Sequence, residues 1–261
     1  MPRQLAVQIV NYRTRGYLER CLASVLADLD GAGLDYEVNL LDNASGEPLD
    51  DLAAAHPRVT ADAAPRNLGF GAGHNRLARA TEADYLWLLN PDIELREPHT
   101  AQRLLAALSE TPGAQAVGPR LVDPAGAPEP YDHGRLGGLR SEIARRGGHS
   151  YWRATRTRRE VAWINGAALL VRRDAFAALD GFDEALFLYK EEEDLCLRLR
   201  EAGGRVVYVP EVTVAHVGRV VADTLRWRPE SERYFVAKHL GEGPSRRMFE
   251  RIHQALAYLH L

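Results

Sequence analysis

Short aliphatic runs alternate with helix-like patterns along the first third of the chain. Apolar residues recur every three or four positions over residues 17–29, which predicts a helix with one buried face. The other elements predicted in this part are strands at 6–10, 36–41, near 59 and at 85–89, and helices at 49–55 and 71–80. This alternation predicts an α/β fold with a mostly parallel sheet and helices on both faces.

The second half of the chain also carries strand and helix patterns. A continuous apolar run predicts a strand at 161–172, and the acidic segment that starts at Glu191 predicts a helix ended by Gly203 and Gly204. Around these, the prediction is a short helix at 174–179 and extended segments at 205–209 and 212–216.

Residues 123–160 interrupt the pattern with frequent Pro and Gly and with eight arginines. We expect a long, mobile, basic insertion here, because such a stretch in a compact domain is usually a functional lid, a binding loop or a disordered segment. A lid over a diphosphate or a phosphate-bearing acceptor is one interpretation, and a solvated loop without a role is the other.

Residues 241–261 carry a separate amphipathic pattern. Apolar side chains recur at helical spacing from Met248 to Leu259, with arginines at the start of the segment. Such a helix would pack on its own domain or on a second subunit in a homodimer. The alternative is a helix that lies on a membrane surface and makes a peripheral contact.

Length and composition restrict the class of protein. A chain of 261 residues with 46% hydrophobic and 26% charged residues fits one globular domain. Its net charge of -3 argues against a general nucleic-acid binder. Cys21 and Cys196 lie in apolar, helix-like stretches, which indicates reduced thiols and a cytoplasmic compartment. No run approaches the roughly 18 apolar residues of a membrane-spanning helix.

Polar residues follow three of the predicted strands. Ligands of open α/β sheets bind beyond the carboxyl ends of the strands, so these residues are candidates for a nucleotide cleft. They are Asn11 and Tyr12 after the first strand, Asp42 and Asn43 after the second, and Asn90 and Asp92 after the fourth. A turn-forming role is the alternative for Asp42 and Asp92.

Four consecutive carboxylates, Glu191 to Asp194, open one helix. One or two would suffice to complement the helix dipole, whereas four repel one another and raise at least one pKa. A carboxylate with a raised pKa suits a general base near neutral pH. A solvated helix start is the competing interpretation.

A divalent cation site is predicted from Asp92 and His216. Mg²⁺ or Mn²⁺ binds one or two carboxylates together with diphosphate oxygens, and Asp92 follows a buried strand. His216 ends an alternating extended segment and could supply an imidazole ligand, although an isolated His is more often structural.

Together, these segments resemble the family 2 inverting glycosyltransferases, in particular the bacterial rhamnosyltransferase-like branch. The resemblance runs from Ala6 to His239 and rests on the order of several motifs. In the first half these are Val10-Asn11-Tyr12, Leu41-Asp42-Asn43, Arg66-Asn67-Leu68-Gly69-Phe70 with Gly73 and Asn75, and Asn90-Pro91-Asp92. In the second half they are Trp163-Ile164-Asn165-Gly166, Gly181-Phe182-Asp183-Glu184, the acidic helix start and His216.

The resemblance implies a GT-A fold with a Rossmann-like sheet and a division of labour along the chain. Residues 1–95 would bind a dTDP- or UDP-sugar, and residues 96–240 would carry the catalytic and acceptor side. Donor contacts are expected from Asn11, Tyr12, Asp42, Asn43, Arg66, Asn67, Gly69, Asn75, Asn90 and Asp92. Acceptor contacts are expected from Trp163, Asn165 and Gly166. The acceptor would be a glycan, a lipid-linked sugar or a small molecule.

One position departs from the family pattern. Where the family has an Asp, this chain has Glu192, which keeps the carboxylate and extends it by one methylene. We assign the catalytic base to Glu192, with Glu191 and Asp194 as the alternatives. dTDP-rhamnose is the first donor expected and a UDP-hexose the second. A non-catalytic sugar-binding module and a nucleotidyltransferase are the rival functions, but the latter would need a glycine-rich loop after the first strand.

Overall fold

The computed structural model describes residues 3–134, 152, 154–218, 220–221 and 224–240. The strands are β1 (Leu5–Asn11), β2 (Tyr36–Asp42), β3 (Val59–Ala63), β4 (Tyr85–Leu89), β5 (Ile93–Glu94), β6 (Ala114–Val122), β7 (His133–Gly134), β8 (Arg159–Glu160), β9 (Trp163–Ile164), β10 (Ala168–Arg172) and β11 (Arg205–His216). The helices are α1 (Arg15–Ala32), α2 (Asp50–Ala54), α3 (Phe70–Arg79), α4 (Thr100–Glu110), α5 (Arg173–Ala178), α6 (Glu191–Glu201) and α7 (Arg228–Leu240), with a 3-10 turn at Thr224–Trp227.

The main sheet has the order β3-β2-β1-β4-β10-β6-β11-β5, and β8 pairs with β11 beside this path. The four strands β3, β2, β1 and β4 are mutually parallel. β10 runs antiparallel to β4 and β6, and β11 is parallel to β6. The α/β class with a mostly parallel sheet is therefore confirmed.

Helices cover both faces of this sheet. Val7 and Ile9 of β1 pack with the apolar stripes of α1 and α4, whereas Ala6 of the same strand packs on the opposite face with Leu195 of α6. A strand buried on both faces needs apolar side chains at successive positions, which explains why these strands are continuous apolar runs. The polar residues that follow β1, β2 and β4 therefore meet along one edge of the sheet.

Three predicted extended segments have different bounds in the structure. The run 161–172 is split, because Asn165 Oδ1 accepts a hydrogen bond from the Ala167 N–H at 2.9 Å and turns the chain between β9 and β10. The segments 205–209 and 212–216 instead belong to the single strand β11, whose pairing with β6 shifts register between Val209 and Thr213. An apolar run carries no period that marks such a break.

The structure also adds α4 and β6, which the sequence analysis did not predict. The described ends of the segment 123–160 are ordered, with β7 paired to β9 and β8 paired to β11. Residues 135–151 and 153 lie outside the described residues, and so does the amphipathic helix predicted within 241–261. Within the described residues, no helix is both long and apolar enough to cross a membrane.

Candidate active site

A cavity of about 450 Å³ lies at the carboxyl edge of the parallel strands. Asn43, Asn90 and Asp92 line it from the first half of the chain. Gly166 and Glu192 line it from the other half, and α7 contributes Arg228. Residues separated by more than a hundred positions therefore share one concave surface, as expected for a ligand site in an α/β sheet.

Asp92 and His216 form the polar wall at one end of the cavity. Asp92 Oδ2 lies 3.5 Å from His216 Nε2 and accepts a hydrogen bond of 2.8 Å from the Gly218 N–H. Both side chains are almost fully buried. Burial opposes ionisation of Asp92, but the His216 imidazole and the Gly218 amide outweigh it and lower its pKa.

The other ring nitrogen of His216 contacts Glu129, a residue that the sequence analysis did not select. Nδ1 lies 2.7 Å from Glu129 Oε2. Burial by itself would lower the pKa of His216, yet hydrogen bonds and charge from Asp92 and Glu129 raise it to about 10. The ring therefore carries two protons and lies between two carboxylates when no cation is present.

These residues fit a divalent cation. Ligands at right angles around an ion with bonds of about 2.1 Å stand about 3 Å apart, close to the separation of Asp92 Oδ2 and His216 Nε2. In the part of the chain that the structure describes, no group of three or more His, Cys, Asp or Glu side chains converges on one point. Diphosphate oxygens would therefore complete the coordination shell, the arrangement that Mg²⁺ prefers.

Hydrogen bonds within the protein use the polar side chains at the ends of β1 and β2. The Asn11 amide donates to Ser45 Oγ and Glu47 Oε2, and its oxygen accepts from Thr14. Asp42 Oδ1 accepts from the Ser45 N–H at 3.0 Å. Neither Asn11 nor Asp42 is among the cavity-lining residues, and these hydrogen bonds shape the loop beside the cavity.

The loop before α3 lines the cavity through Asn67 and Gly69, and Asn43, which follows β2, lines it beside them. The Asn43 amide donates to Asn67 Oδ1 at 3.0 Å and to the Gly69 carbonyl at 3.1 Å. Gly69 has φ 86°, and a Cβ there would lie 2.2 Å from the Phe187 carbonyl oxygen, so only glycine fits. Tyr12 also lines the cavity, whereas Arg66 is exposed outside the lining.

The side chain of Asn75 makes hydrogen bonds within the protein. Its amide donates to the Phe182 carbonyl at 2.9 Å and to Glu184 Oε1, and its oxygen accepts from the Phe182 N–H at 2.8 Å. Asn75 is buried and lies outside the cavity lining. The side chain therefore ties α3 to the turn at Gly181 that leads toward α6.

Glu191 and Glu192, at the start of α6, both line the cavity. Glu191 is buried, and its Oε2 atom has no hydrogen-bond partner. Burial, with the neighbouring charge of Glu192, raises its pKa well above the ordinary value. Burial also raises the pKa of Glu192, whose side chain is more exposed than that of Glu191 and lies against Gly166. The more accessible carboxylate of Glu192 is therefore better placed than that of Glu191 to accept a proton from a molecule in the cavity.

Ion pairs occupy the other two carboxylates of the acidic run. Glu193 Oε2 lies 2.7 Å from Lys190 Nζ. Asp194 is fully buried and contacts Arg198, Lys238 and His239 at 2.7 to 2.8 Å. Burial would raise the pKa of Asp194, but its contacts with His239, Lys238 and Arg198 lower it to about 2. The structure thus argues against Asp194 as the base and assigns it to joining α6 and α7.

Two residues with strained backbone precede α6. Tyr189 and Lys190 both have φ 73°, a left-handed conformation that is costly for side chains other than glycine. The Tyr189 hydroxyl donates to Thr224 Oγ1 at 2.9 Å, and Ser231 Oγ donates to the Leu188 carbonyl at 2.7 Å. The elements at residues 224–240 therefore hold the backbone that starts α6. Strain of this kind is commonest at functional sites.

On the acceptor side, Asn165 and Gly166 line the cavity, whereas Trp163 lies in the hydrophobic core. The Asn165 N–H donates to the Asp132 carbonyl at 2.9 Å. The Asp132 carboxylate accepts hydrogen bonds of 2.7 Å from the side chains of Trp152 and Tyr208. These hydrogen bonds of Asp132 thus fix the backbone at Asn165. No periodic pattern in the sequence predicted this cluster.

The model of the glycosyltransferase-like family 2 matches residues 2–235. The chain belongs to the family 2 glycosyltransferases. It is a glycosyltransferase of the rhamnosyltransferase-like kind, because it is 33% identical over 266 residues to the N-acetylglucosaminyl-diphospho-decaprenol L-rhamnosyltransferase of Mycobacterium tuberculosis. That match covers 91% of this chain and 85% of the relative. The rhamnosyltransferase WbbL of Escherichia coli is 38% identical over 98 residues, 35% of this chain and 36% of WbbL.

Solved structures confirm the fold of this glycosyltransferase. The mannosyltransferase PcManGT from Pyrobaculum calidifontis, solved with GDP-Man and Mn²⁺, has a TM-score of 0.65 and 18% identity. The match covers all of this chain and 71% of PcManGT. TarS residues 1–349 from S. aureus give a TM-score of 0.63 with 14% identity, covering 94% and 68% of the two chains. These neighbours have GT-A folds, so the fold that the resemblance implied is confirmed.

Proposed function

We propose that this enzyme transfers L-rhamnose from dTDP-rhamnose to a sugar hydroxyl of a lipid-linked acceptor, with inversion and with a divalent cation. One observation carries the proposal. The proposed cation ligands Asp92 and His216 and the carboxylate of Glu192 line the same cavity, which is large enough for a sugar. The similarity to a rhamnosyltransferase that acts on a diphospho-decaprenol sugar supports the choice of donor and acceptor.

The proposed reaction needs a base on one face of the donor sugar and charge stabilisation on the other. Glu192 accepts the proton of the acceptor hydroxyl while the hydroxyl oxygen forms a bond to the anomeric carbon of the donor sugar. The bond from that carbon to the diphosphate oxygen breaks, and the electron pair leaves with dTDP. Asp92 and His216 would hold a divalent cation, which would offset the charge that develops on the departing diphosphate. Attack and departure on opposite faces invert the anomeric centre.

The chain's own residues prepare the two ends of the cavity for these tasks. Asp92 is held ionised, so it keeps a negative charge for the cation. The raised pKa of Glu192 makes it a stronger proton acceptor than an ordinary carboxylate. Arg228 lines the same cavity, and its charge favours the ionised form of Glu192.

Thermal unfolding with a panel of nucleotides tests the donor. In the presence of Mn²⁺, we expect dTDP and dTDP-rhamnose to raise the melting temperature more than UDP or GDP. A ligand at a hundred times its dissociation constant stabilises by about 2.7 kcal/mol, which is readily measured. Stabilisation by UDP or GDP without any by dTDP would show that the donor is a different nucleotide sugar.

A turnover assay tests the acceptor and the stereochemistry. The purified enzyme is incubated with dTDP-rhamnose, Mn²⁺ and a short-chain N-acetylglucosaminyl diphospho-polyprenol, and released dTDP is measured. The product anomer is then assigned by NMR. We expect dTDP release to depend on the acceptor and the anomeric configuration to be inverted. Retention, or equal release without the acceptor, contradicts the proposed mechanism.

A further inference from the structure

Glu129 reaches the cavity from a tight turn at the end of β6. The Asp123 side chain accepts hydrogen bonds of 2.9 Å from the N–H groups of Ala125 and Ala127, which closes this turn. The Glu129 N–H then donates to the Leu121 carbonyl at 2.9 Å. The backbone of Glu129 is therefore fixed to β6 before its side chain makes any contact.

The same strand also fixes the partner of Glu129. β6 pairs with β11 up to the residue before His216, with Ala215 opposite Val122. Glu129 Oε2 and His216 Nδ1 are 2.7 Å apart, and the two residues are separated by 87 positions in the sequence. The contact therefore joins two side chains whose backbones belong to one rigid part of the sheet.

Glu129 and Asp92 contact opposite nitrogens of one imidazole ring. Asp92 Oδ2 faces Nε2, and Glu129 Oε2 faces Nδ1. A carboxylate at Nδ1 keeps the proton on that nitrogen when the ring gives up its other proton. The lone pair then lies on Nε2, which is the nitrogen beside Asp92. Without a partner at Nδ1, the ring could rotate or place its remaining proton on Nε2, toward the cation.

We propose that Glu129 is a positioning residue that orients His216 for the cation by holding the proton on Nδ1. The inference rests on the proposed function, because the cation site of Asp92 and His216 is part of that function. Carboxylates that accept from a metal-bound histidine typically change metal affinity by 10- to 100-fold. Glu129 acts through His216 and does not contact the ion.

Direct measurement of Mn²⁺ binding tests this role without an activity assay. Free Mn²⁺ is counted by electron paramagnetic resonance during titration of the full chain, with Mn²⁺ alone and with Mn²⁺ plus dTDP. The variants are Glu129→Ala, Glu129→Gln, His216→Ala and Asp92→Ala. The matched control is Glu160→Ala, which removes a half-exposed carboxylate that pairs with Arg205 on the same sheet. Melting temperatures of all variants verify that each is folded.

We expect Glu129→Ala to weaken Mn²⁺ binding by about 10- to 100-fold. Glu129→Gln should recover part of this loss, because its amide oxygen still accepts from Nδ1–H. Glu160→Ala should bind Mn²⁺ as the wild type does. A merely structural role for Glu129 would lower the melting temperature and leave the affinity unchanged.

Wild-type Mn²⁺ affinity in folded Glu129→Ala, together with weak binding by His216→Ala and Asp92→Ala, would overturn the role of Glu129 and leave the cation site intact. Equal loss in Glu129→Ala and Glu129→Gln would also contradict it, since the amide should partly rescue. Unchanged affinity in His216→Ala and Asp92→Ala would remove the cation site from the proposed function and overturn this inference with it.

Discussion

The two halves of the cavity differ in how their polar groups are satisfied. On the donor side, polar side chains at the strand ends bond to one another, as Asn43 does with Asn67 and Asp42 with Ser45. On the catalytic side, burial leaves Glu191 and Glu192 with raised pKa values. The comparison shows that satisfied groups fix the shape of a surface, whereas buried carboxylates with raised pKa values retain a high proton affinity.

Replacing the base should have the largest effect. Glu192→Gln keeps the size of the side chain but cannot accept a proton, so we expect kcat to fall by about 10²- to 10⁴-fold. Donor affinity, measured by calorimetry, should remain close to that of the wild type. Glu201→Gln changes an exposed carboxylate at the other end of α6 and serves as the control. Full activity of Glu192→Gln with loss in Glu191→Gln would move the base by one residue.

Removal of the cation ligand on the opposite wall should have the next largest effect. Asp92→Ala should lower kcat/KM by about 100-fold, equivalent to about 3 kcal/mol of transition-state stabilisation. Asp92 lies between β4 and β5, and its loss leaves the His216 ring and the Gly218 N–H without this partner, so the melting temperature should also fall and kcat/KM is compared on folded enzyme. Mn²⁺-dependent turnover at the wild-type rate in this variant would contradict the assignment.

Loss of the Asn75 side chain, which joins α3 to Phe182, should affect stability more than catalysis. Asn75→Ala leaves the buried N–H and carbonyl of Phe182 without partners, and we expect it to lower the free energy of unfolding by about 2 to 4 kcal/mol. Urea unfolding measures this loss. If Asn75→Ala instead weakened donor binding at unchanged stability, Asn75 would be a donor residue, as the sequence resemblance implied.

The pH dependence of stability should show the smallest effect. Glu191 has a folded-state pKa above its unfolded value, so its stabilising contribution is present at low pH and is lost as the pH rises through the folded pKa. Glu191→Gln should therefore gain stability relative to the wild type with rising pH, by at most about 1.4 kcal/mol per pH unit. If the free energies of unfolding of the wild type and Glu191→Gln changed in parallel with pH, the pKa of Glu191 would not be raised in the folded state.

The sequence predicted the donor half better than the catalytic half, and the reason lies in the range of the contacts. The strands β1, β2 and β4 are formed by local apolar runs, and their polar ends follow directly in the chain. Glu129, by contrast, lies in a segment of Pro and Gly without period, 87 positions from the histidine that it contacts. Periodicity carries no information on such a pairing.

The motifs do not distinguish residues that line the cavity from residues that support it. Asn75 belongs to the motif that resembles the donor site, yet its side chain is used by Phe182 and Glu184. Trp163 belongs to the acceptor-side motif but lies in the core. The sequence alone could not select one base among Glu191, Glu192 and Asp194, because all three are carboxylates in the first turn of one helix. Their burial and their hydrogen-bond partners distinguish them.

The left-handed pair Tyr189–Lys190 has a consequence for engineering this enzyme. Glycine would adopt φ 73° at lower cost, so Lys190→Gly relieves backbone strain. The same change removes the contact of Lys190 with Glu193 and loosens the backbone two residues before the proposed base, Glu192. Screens for heat resistance and screens for turnover should therefore select different residues at this position, as expected where stability and activity are in conflict.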